Sequence, residues 1–299
     1  QGFITAVVTG DPVSVRLGTT PAEALYVVTE KILAAYERLP EDWPVHGTTG
    51  YDVGALLTEF FVYPGGERDL DRLYARFIGR ETDFDGLLSD RKRLIMRVAL
   101  SSELHVLANY LNRISESDWN ARDFTLTALR DALREVVAHF PVYRTYIRGE
   151  SVSDEDRRYV EWACAQARKL SPAADVSVFD FVRAVLLLEN LAGRDESYRR
   201  AAVDFVMRFQ QFTAPVMAKA FEDTTFYIYN RLVSLNEVGG DPRRFGLSAA
   251  ALHGANQDRA RRWRAGPDLP GTNGSEGPKG GGLTNAGKIS YCVRRYRRK

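Results

Sequence analysis

Leu25-Tyr26-Val27-Val28-Thr29-Glu30 decides how this chain is read. From Leu25 to Thr29 there is no polar alternation, and the run ends on a carboxylate. A strand with one wet face alternates, whereas a strand covered on both faces, as in a parallel sheet, reads as a short continuous apolar run. α/β barrels keep their chemistry where such strands end. The pattern predicts a strand over residues 25–29 with Glu30 at its functional end. The plainer alternative for Glu30 is an ion pair with its neighbour Lys31.

On the upstream side, Ile4 to Val8 could form a strand, Gly10-Asp11-Pro12 is a turn signal, and Val13, Val15 and Leu17 alternate like a half-buried strand. Downstream, a Pro- and Gly-rich stretch runs to Gly50 and reads as a loop. From about Leu56 to Phe212 the period becomes helical. Leu94, Val98, Leu104, Leu107, Leu111 and Ile114 recur mostly at three- and four-residue steps, and Leu126, Leu129, Leu133 and Val137 repeat the pattern before Pro141. Ser153-Asp154-Glu155-Asp156 reads as an N-cap with an acidic first turn, leading to Tyr159, Val160, Ala163 and Ala167. Two further stripes are Val178, Val182, Val185, Leu186 and Ala202, Phe205, Val206, Phe209. This helical stretch is long for a connection between barrel strands, so it reads as an inserted subdomain, and its stripes show no internal repeat.

Composition narrows the function classes. The chain has 299 residues, 44% hydrophobic and 27% charged, which is ordinary for a globular protein. No run of 18 apolar residues is present, so no transmembrane helix is expected. The first residue is Gln1 without a basic n-region, so no signal peptide is expected, and a start other than Met is expected of a piece of a longer chain. Cys164 and Cys292 form no close-spaced pair, as in a reduced cytoplasmic protein. His46, His105, His139 and His253 lack ligand spacing, so no metal site is expected on them, and the family resemblance given below implies no organic cofactor. Residues 264–299 hold eight Lys/Arg against two Asp/Glu, a net of +6, leaving −4 on the rest. With eight Gly and three Pro between Arg264 and Gly287, this tail reads as disordered. Its basic run carries no recognition motif, and no nucleic-acid partner is expected.

A wider set of residues points to a family. Glu30-Lys31-Ile32-Leu33 and Leu39-Pro40-Glu41-Asp42-Trp43-Pro44-Val45-His46-Gly47-Thr48-Thr49-Gly50-Tyr51-Asp52 resemble maltooligosyltrehalose synthase, of glycoside hydrolase family 13 in the α-amylase superfamily. Ser101-Ser102-Glu103-Leu104, Asn112-Arg113-Ile114-Ser115, Arg122-Asp123-Phe124-Thr125, the segment Met217 to Arg231, and the helix Gly254 to Trp263 are similar to it as well. The resemblance implies an incomplete (β/α)8 barrel with a large helical insertion: residues 1–55 the barrel segment with the acid/base strand, 56–212 the insertion, 213–263 a barrel-associated subsite segment, and 264–299 the tail.

It also implies intramolecular transglycosylation, with the reducing-end α-1,4 linkage of a malto-oligosaccharide becoming α-1,1 and Glu30 the general acid/base. Lys219, Glu222, Asp223, Tyr227, Tyr229 and Asn230 interleave rings with hydrogen-bonding groups, as a sugar subsite requires. Tyr51 and Asp52 join them as substrate-binding candidates through the matched motif. The chain departs from the family at Ala220, where Gly is usual, and at Val53-Gly54-Ala55, where Phe-Leu-Asn is usual. The family's nucleophilic aspartate, in an Arg-Ile-Asp-His type segment, has no counterpart: Asp11 sits in a Gly-Asp-Pro turn. Nor does the tail hold the His-Asp pair that follows the last matched helix. The alternative expectation is a catalytically incomplete remnant that binds malto-oligosaccharide weakly at most.

Overall fold

The computed structural model describes residues 27–40, 42–171 and 176–247. All belong to one compact unit within residues 1–256. The strand candidates before residue 20, the matched helix from Gly254 to Trp263, and the tail lie outside the described residues. No helix among the described residues is long and apolar enough to cross a membrane.

The described structure is mostly helical with a small sheet. Strand β1 (Val28–Thr29) pairs in parallel with β2 (Gly47–Thr48), Val28 opposite Gly47 and Thr29 opposite Thr48. The His46 amide donates to the Val27 carbonyl at 2.7 Å and the Thr49 amide to that of Thr29 at 3.1 Å. Val28 and Thr29 are half-buried. The stretch read as a loop up to Gly50 therefore contains the partner strand. Two residues, one a glycine, are too few to show a period-two pattern.

Helices α1 (Tyr51–Phe60), α2 (Glu67–Ile78), α3 (Phe84–Val98), α4 (Ser101–Glu116), α5 (Leu126–Ala138), α6 (Asp154–Leu170), α7 (Ser177–Leu186) and α8 (Glu196–Ala220) follow. Their starts are written in the sequence. Asp83, Thr125, Ser153 and Asp195 each accept a first-turn amide through the side chain, satisfying a donor the helix cannot. Gly79 ends α2 at φ +72°, a left-handed conformation that costs glycine least.

The core joins α4, α5 and α8, with α6 and α7 packed on α5, and its centre includes Leu111, Leu129, Leu133, Phe205 and Phe209. A smaller cluster of Phe84, Leu88, Ala220 and Tyr229 ties the start of α3 to the end of α8.

One expectation is corrected. The stripe from Leu94 to Ile114 spans two helices. The amides of Ala99 and Leu100 both turn back to the Ile95 carbonyl, closing α3. Val98 is 66% exposed and Met96 takes the core position instead. Helix α8 runs through residue 212, with Pro215 inside it. A proline inside a helix removes one ladder bond, but the buried faces on either side of it, from Phe209 and Phe212 to Val216 and Met217, hold the helix together through it.

Candidate active site

Glu30 directly follows β1 and is exposed. Its neighbour Lys31 turns the other way, as successive residues of extended chain do. The Lys31 Nζ lies 2.5 Å from Glu37 Oε1, with both side chains buried. Glu37 also accepts from the Ala34 amide at 3.1 Å. Burial pushes the Glu37 carboxyl up, opposed by Lys31. Lys31 therefore does not pair with Glu30, whose carboxylate instead accepts a hydrogen bond from the Tyr51 hydroxyl at 3.0 Å. That bond is the main cause holding the Tyr51 hydroxyl above the ordinary phenol range.

Tyr51 begins α1, immediately after β2, so the parallel pairing sets the position of both partners. Asp52, next along, is exposed and accepts from Thr48 Oγ1 at 3.1 Å.

The third component comes from the helical region. Residues 140–147, between α5 and α6, form a strap pinned from several sides. Lys92 of α3 donates to the Phe140 carbonyl at 2.7 Å. Asp156 of α6 accepts the Tyr146 amide at 3.1 Å. Gln210 of α8, fully buried, accepts the Ile147 amide at 2.6 Å and donates to its carbonyl at 3.2 Å. Tyr36 adds a bond to the Pro141 carbonyl at 2.8 Å. An amide-bearing side chain satisfying both groups of one buried residue is how an irregular segment stays in a core.

The strap presents two tyrosines to the β1 end. Tyr146 meets the Trp43 ring perpendicularly at 4.8 Å, and the Lys31 ammonium and the Arg144 guanidinium lie over its ring at 4.9 and 4.8 Å. The Tyr143 hydroxyl donates a short hydrogen bond to Glu222. Burial raises the Glu222 carboxyl above its usual range, the Tyr143 bond opposes that, and Asp223 adds to it. Tyr143 in turn is raised, burial first and the Glu222 bond second. Tyr51 and Glu222 are close enough for the Glu222 charge to act on the Tyr51 hydroxyl. Two tyrosine–glutamate pairs, Tyr51–Glu30 and Tyr143–Glu222, thus share one locality.

The segment after α8 sorts its residues. Phe221–Thr225 form a π-helical turn, a feature frequent at functional sites. Thr224 and Thr225 close it by donating to the carbonyls of Lys219 and Ala220, each at 2.7 Å. Lys219, Asp223 and Asn230 are exposed, Tyr227 is 80% exposed, and Glu222 is half-buried. Tyr229 departs from its expected role. It is 7% exposed, its ring packed against Phe84 at 5.0 Å and Tyr74 at 5.5 Å, so it anchors the segment instead of offering a stacking face. Position in an aromatic-rich stretch does not say which ring faces inward.

Sequence reasoning also missed Tyr143, Tyr146, Glu37 and Gln210. The available signal was Pro141-Val142-Tyr143-Arg144-Thr145-Tyr146, an aromatic and basic run directly after a helix-closing proline. No group of three or more His, Cys, Asp or Glu that could hold a metal occurs among the described residues.

No family model matches the chain. A curated Mycobacterium tuberculosis protein assigned as a maltooligosyl trehalose synthase is 32% identical over 238 residues, 80% of this chain. The maltooligosyltrehalose synthase of Arthrobacter ramosus superposes with a TM-score of 0.64 at 35% identity, covering 80% of this chain and 28% of that one. The chain is a partial relative of the maltooligosyltrehalose synthases. It spans 28% of the length of the curated relatives it matches. A hypothetical maltooligosyl trehalose synthase of Sulfolobus tokodaii, 24% identical, shares the fold at a TM-score of 0.56 over 78% of this chain. The maltooligosyltrehalose synthase likeness thus covers most of the chain, whereas the chain covers little of each synthase.

Proposed function

We propose that the chain serves intramolecular transglycosylation in trehalose formation, converting the reducing-end α-1,4 linkage of a malto-oligosaccharide to α-1,1, with Glu30 as the proton-transfer group. The observation that carries this is Glu30 itself. It is an exposed carboxyl at the end of a parallel strand, hydrogen-bonded by Tyr51, in a chain similar to the maltooligosyltrehalose synthases. On this reading β1 and β2 are adjacent strands of an incomplete (β/α)8 barrel, and α3–α8 belong to its helical insertion.

Rearrangement of this kind needs a proton delivered to the leaving 4-oxygen as the C1–O4 bond breaks. The same group then takes the proton from the anomeric hydroxyl of the released glucose as C1–O1 forms. On this reading Glu30 makes both transfers, and the hydrogen bond from the Tyr51 hydroxyl orients its carboxyl. A mutase must exclude water so that the sugar hydroxyl is the acceptor. Tyr227, Asn230, Lys219 and Asp223 supply the ring and hydrogen-bonding groups that would hold the released unit near Glu222. The carboxylate that attacks the anomeric carbon has no counterpart in the matched motifs, and the proposal assigns Glu30 the proton transfers alone.

The test is incubation of the purified chain with maltohexaose and an assay of reducing ends. A loss of reducing ends that Glu30→Gln abolishes is the expected result. Unchanged reducing ends at every protein concentration would refute catalysis by this chain and leave binding as its remaining role.

A further inference from the structure

No residue of helix α2 is buried, yet one of its faces is occupied. The Arg231 guanidinium donates to Glu67 at 3.3 Å and to Asp71 at 2.8 Å. The Tyr74 hydroxyl donates to the Ile228 carbonyl at 3.4 Å and accepts the Asn230 amide at 3.0 Å. Glu67, Asp71 and Tyr74 stand three and four residues apart and so share that face.

Leu70, Leu73 and Phe77 have the same spacing and form a separate stripe. Leu73 is 53% exposed and Phe77 87%. Phe61, 83% exposed, and Tyr63 stand bare in the connection that leads into α2. Single exposed apolar residues are ordinary, but a stripe of them along one helix marks a surface that another polypeptide covers.

The charges beside the stripe indicate which polypeptide. Asp69 and Arg76, seven residues apart, lie on one side of the helix, the acid near its start and the base near its end. Arg80 follows the Gly79 cap. Asp69 has only an exposed contact with Arg72 at 3.4 Å, while Arg76 and Arg80 form no ion pair among the described residues. If two α2 helices lie antiparallel with Leu73 on the twofold axis, Asp69 of one stands level with Phe77 of the other. That places it between Arg76 and Arg80 of the second copy, and the reciprocal pairs form by symmetry. Leu70, Leu73 and Phe77 of the two copies then meet along the seam. Parallel helices would instead set Asp69 against Asp69 and Arg76 against Arg76. An unrelated partner gives no reason for this order of charges.

We propose that α2 is a self-association face, through which two copies of this chain pair by antiparallel helices. The apolar stripe supplies the affinity and the charges fix the direction. One helix pair is small against the roughly 1,200–2,000 Å² of a standard interface, so the dimer dissociates at a concentration on the order of 10 μM.

Sedimentation equilibrium of the whole chain, from about 1 to 200 μM, should follow a monomer–dimer scheme. Phe77→Glu should raise the dissociation constant by about tenfold or more. Its melting temperature at low concentration should be maintained, because the Phe77 side chain makes no buried contact to lose. A pair of charge variants tests the direction. Asp69→Arg makes the charged side wholly basic, and Arg76→Glu combined with Arg80→Glu makes it wholly acidic. Each variant alone should be monomeric, and their equimolar mixture should dimerise like the unaltered chain.

A chain that stays monomeric at every concentration overturns the proposal and leaves the stripe to a different polypeptide. Self-association indifferent to Phe77→Glu overturns it by placing the contact elsewhere. Charge variants that each dimerise alone, or a mixture that does not associate, overturn the antiparallel pairing.

Discussion

Lys92 is a lysine whose charge is placed at a cost. It is 3% exposed, its Nζ donates to the Phe140 carbonyl, and burial pushes its ammonium down to about 7. Arg243 lowers it further, Asp85 works the other way, and His139 is near enough to feel its charge. The folded pKa lies below that of an unfolded lysine, so between the two the unfolded chain holds the extra proton and stability rises with pH. Below about pH 7 both states are protonated and the penalty is present in full. From pH 7 to 9 the chain should therefore gain stability relative to Lys92→Met, by at most roughly 1 kcal/mol per pH unit. Denaturant midpoints at the two pH values measure this, and an identical pH dependence in both proteins would show that no buried charge is relieved. At this scale the sequence was informative only where a residue's position follows from local rules. The place of Glu30 directly after β1 was legible because it ends an apolar run. Tyr229 was misread and Tyr143 unseen because their roles depend on contacts with Phe84 and Glu222, which are distant in sequence.

Elements were the most legible level. The stripes for α5, α6, α7 and α8 mark their cores correctly, and Ser153 is the N-cap it reads as. Ser153 Oγ accepts the Asp156 amide at 3.1 Å and donates to the Asp156 carboxylate at 2.9 Å. The same carboxylate holds the Tyr146 amide, so the cap also supports the strap. Ser153→Ala should cost about 1 kcal/mol, the usual worth of such a cap, read as a lower midpoint in thermal or denaturant unfolding. A midpoint matching the unaltered chain would mean Asp154 or solvent replaces it without loss. Boundaries were less legible where an element is very short or where two helices abut. The two-residue β2 offers no period, and the α3–α4 junction at Ala99-Leu100 carries neither glycine nor proline to announce it.

For the molecule as a whole, matched motifs indicated the relationship to the synthases, while composition and periodicity gave only a helical globular chain. What neither could supply is how the helical region reaches the strand end, since that depends on the pinned strap. Its anchors come from α3, α6 and α8, which the helical core holds together. Backbone amides bonded to buried side chains exchange with solvent only when those side chains let go. Tyr146 and Ile147 should therefore exchange deuterium as slowly as amides in the middle of α5 and α8, despite lying in an irregular segment. Mass-spectrometric exchange would show it, and rapid labelling of residues 143–147 would mean the connection opens independently. If protection is shared, Tyr143 loses its hold on Glu222 only when the helices themselves come apart. Warming would then release the Tyr143–Glu222 pair and melt the helices at one temperature, with no range in which a folded chain has lost that contact.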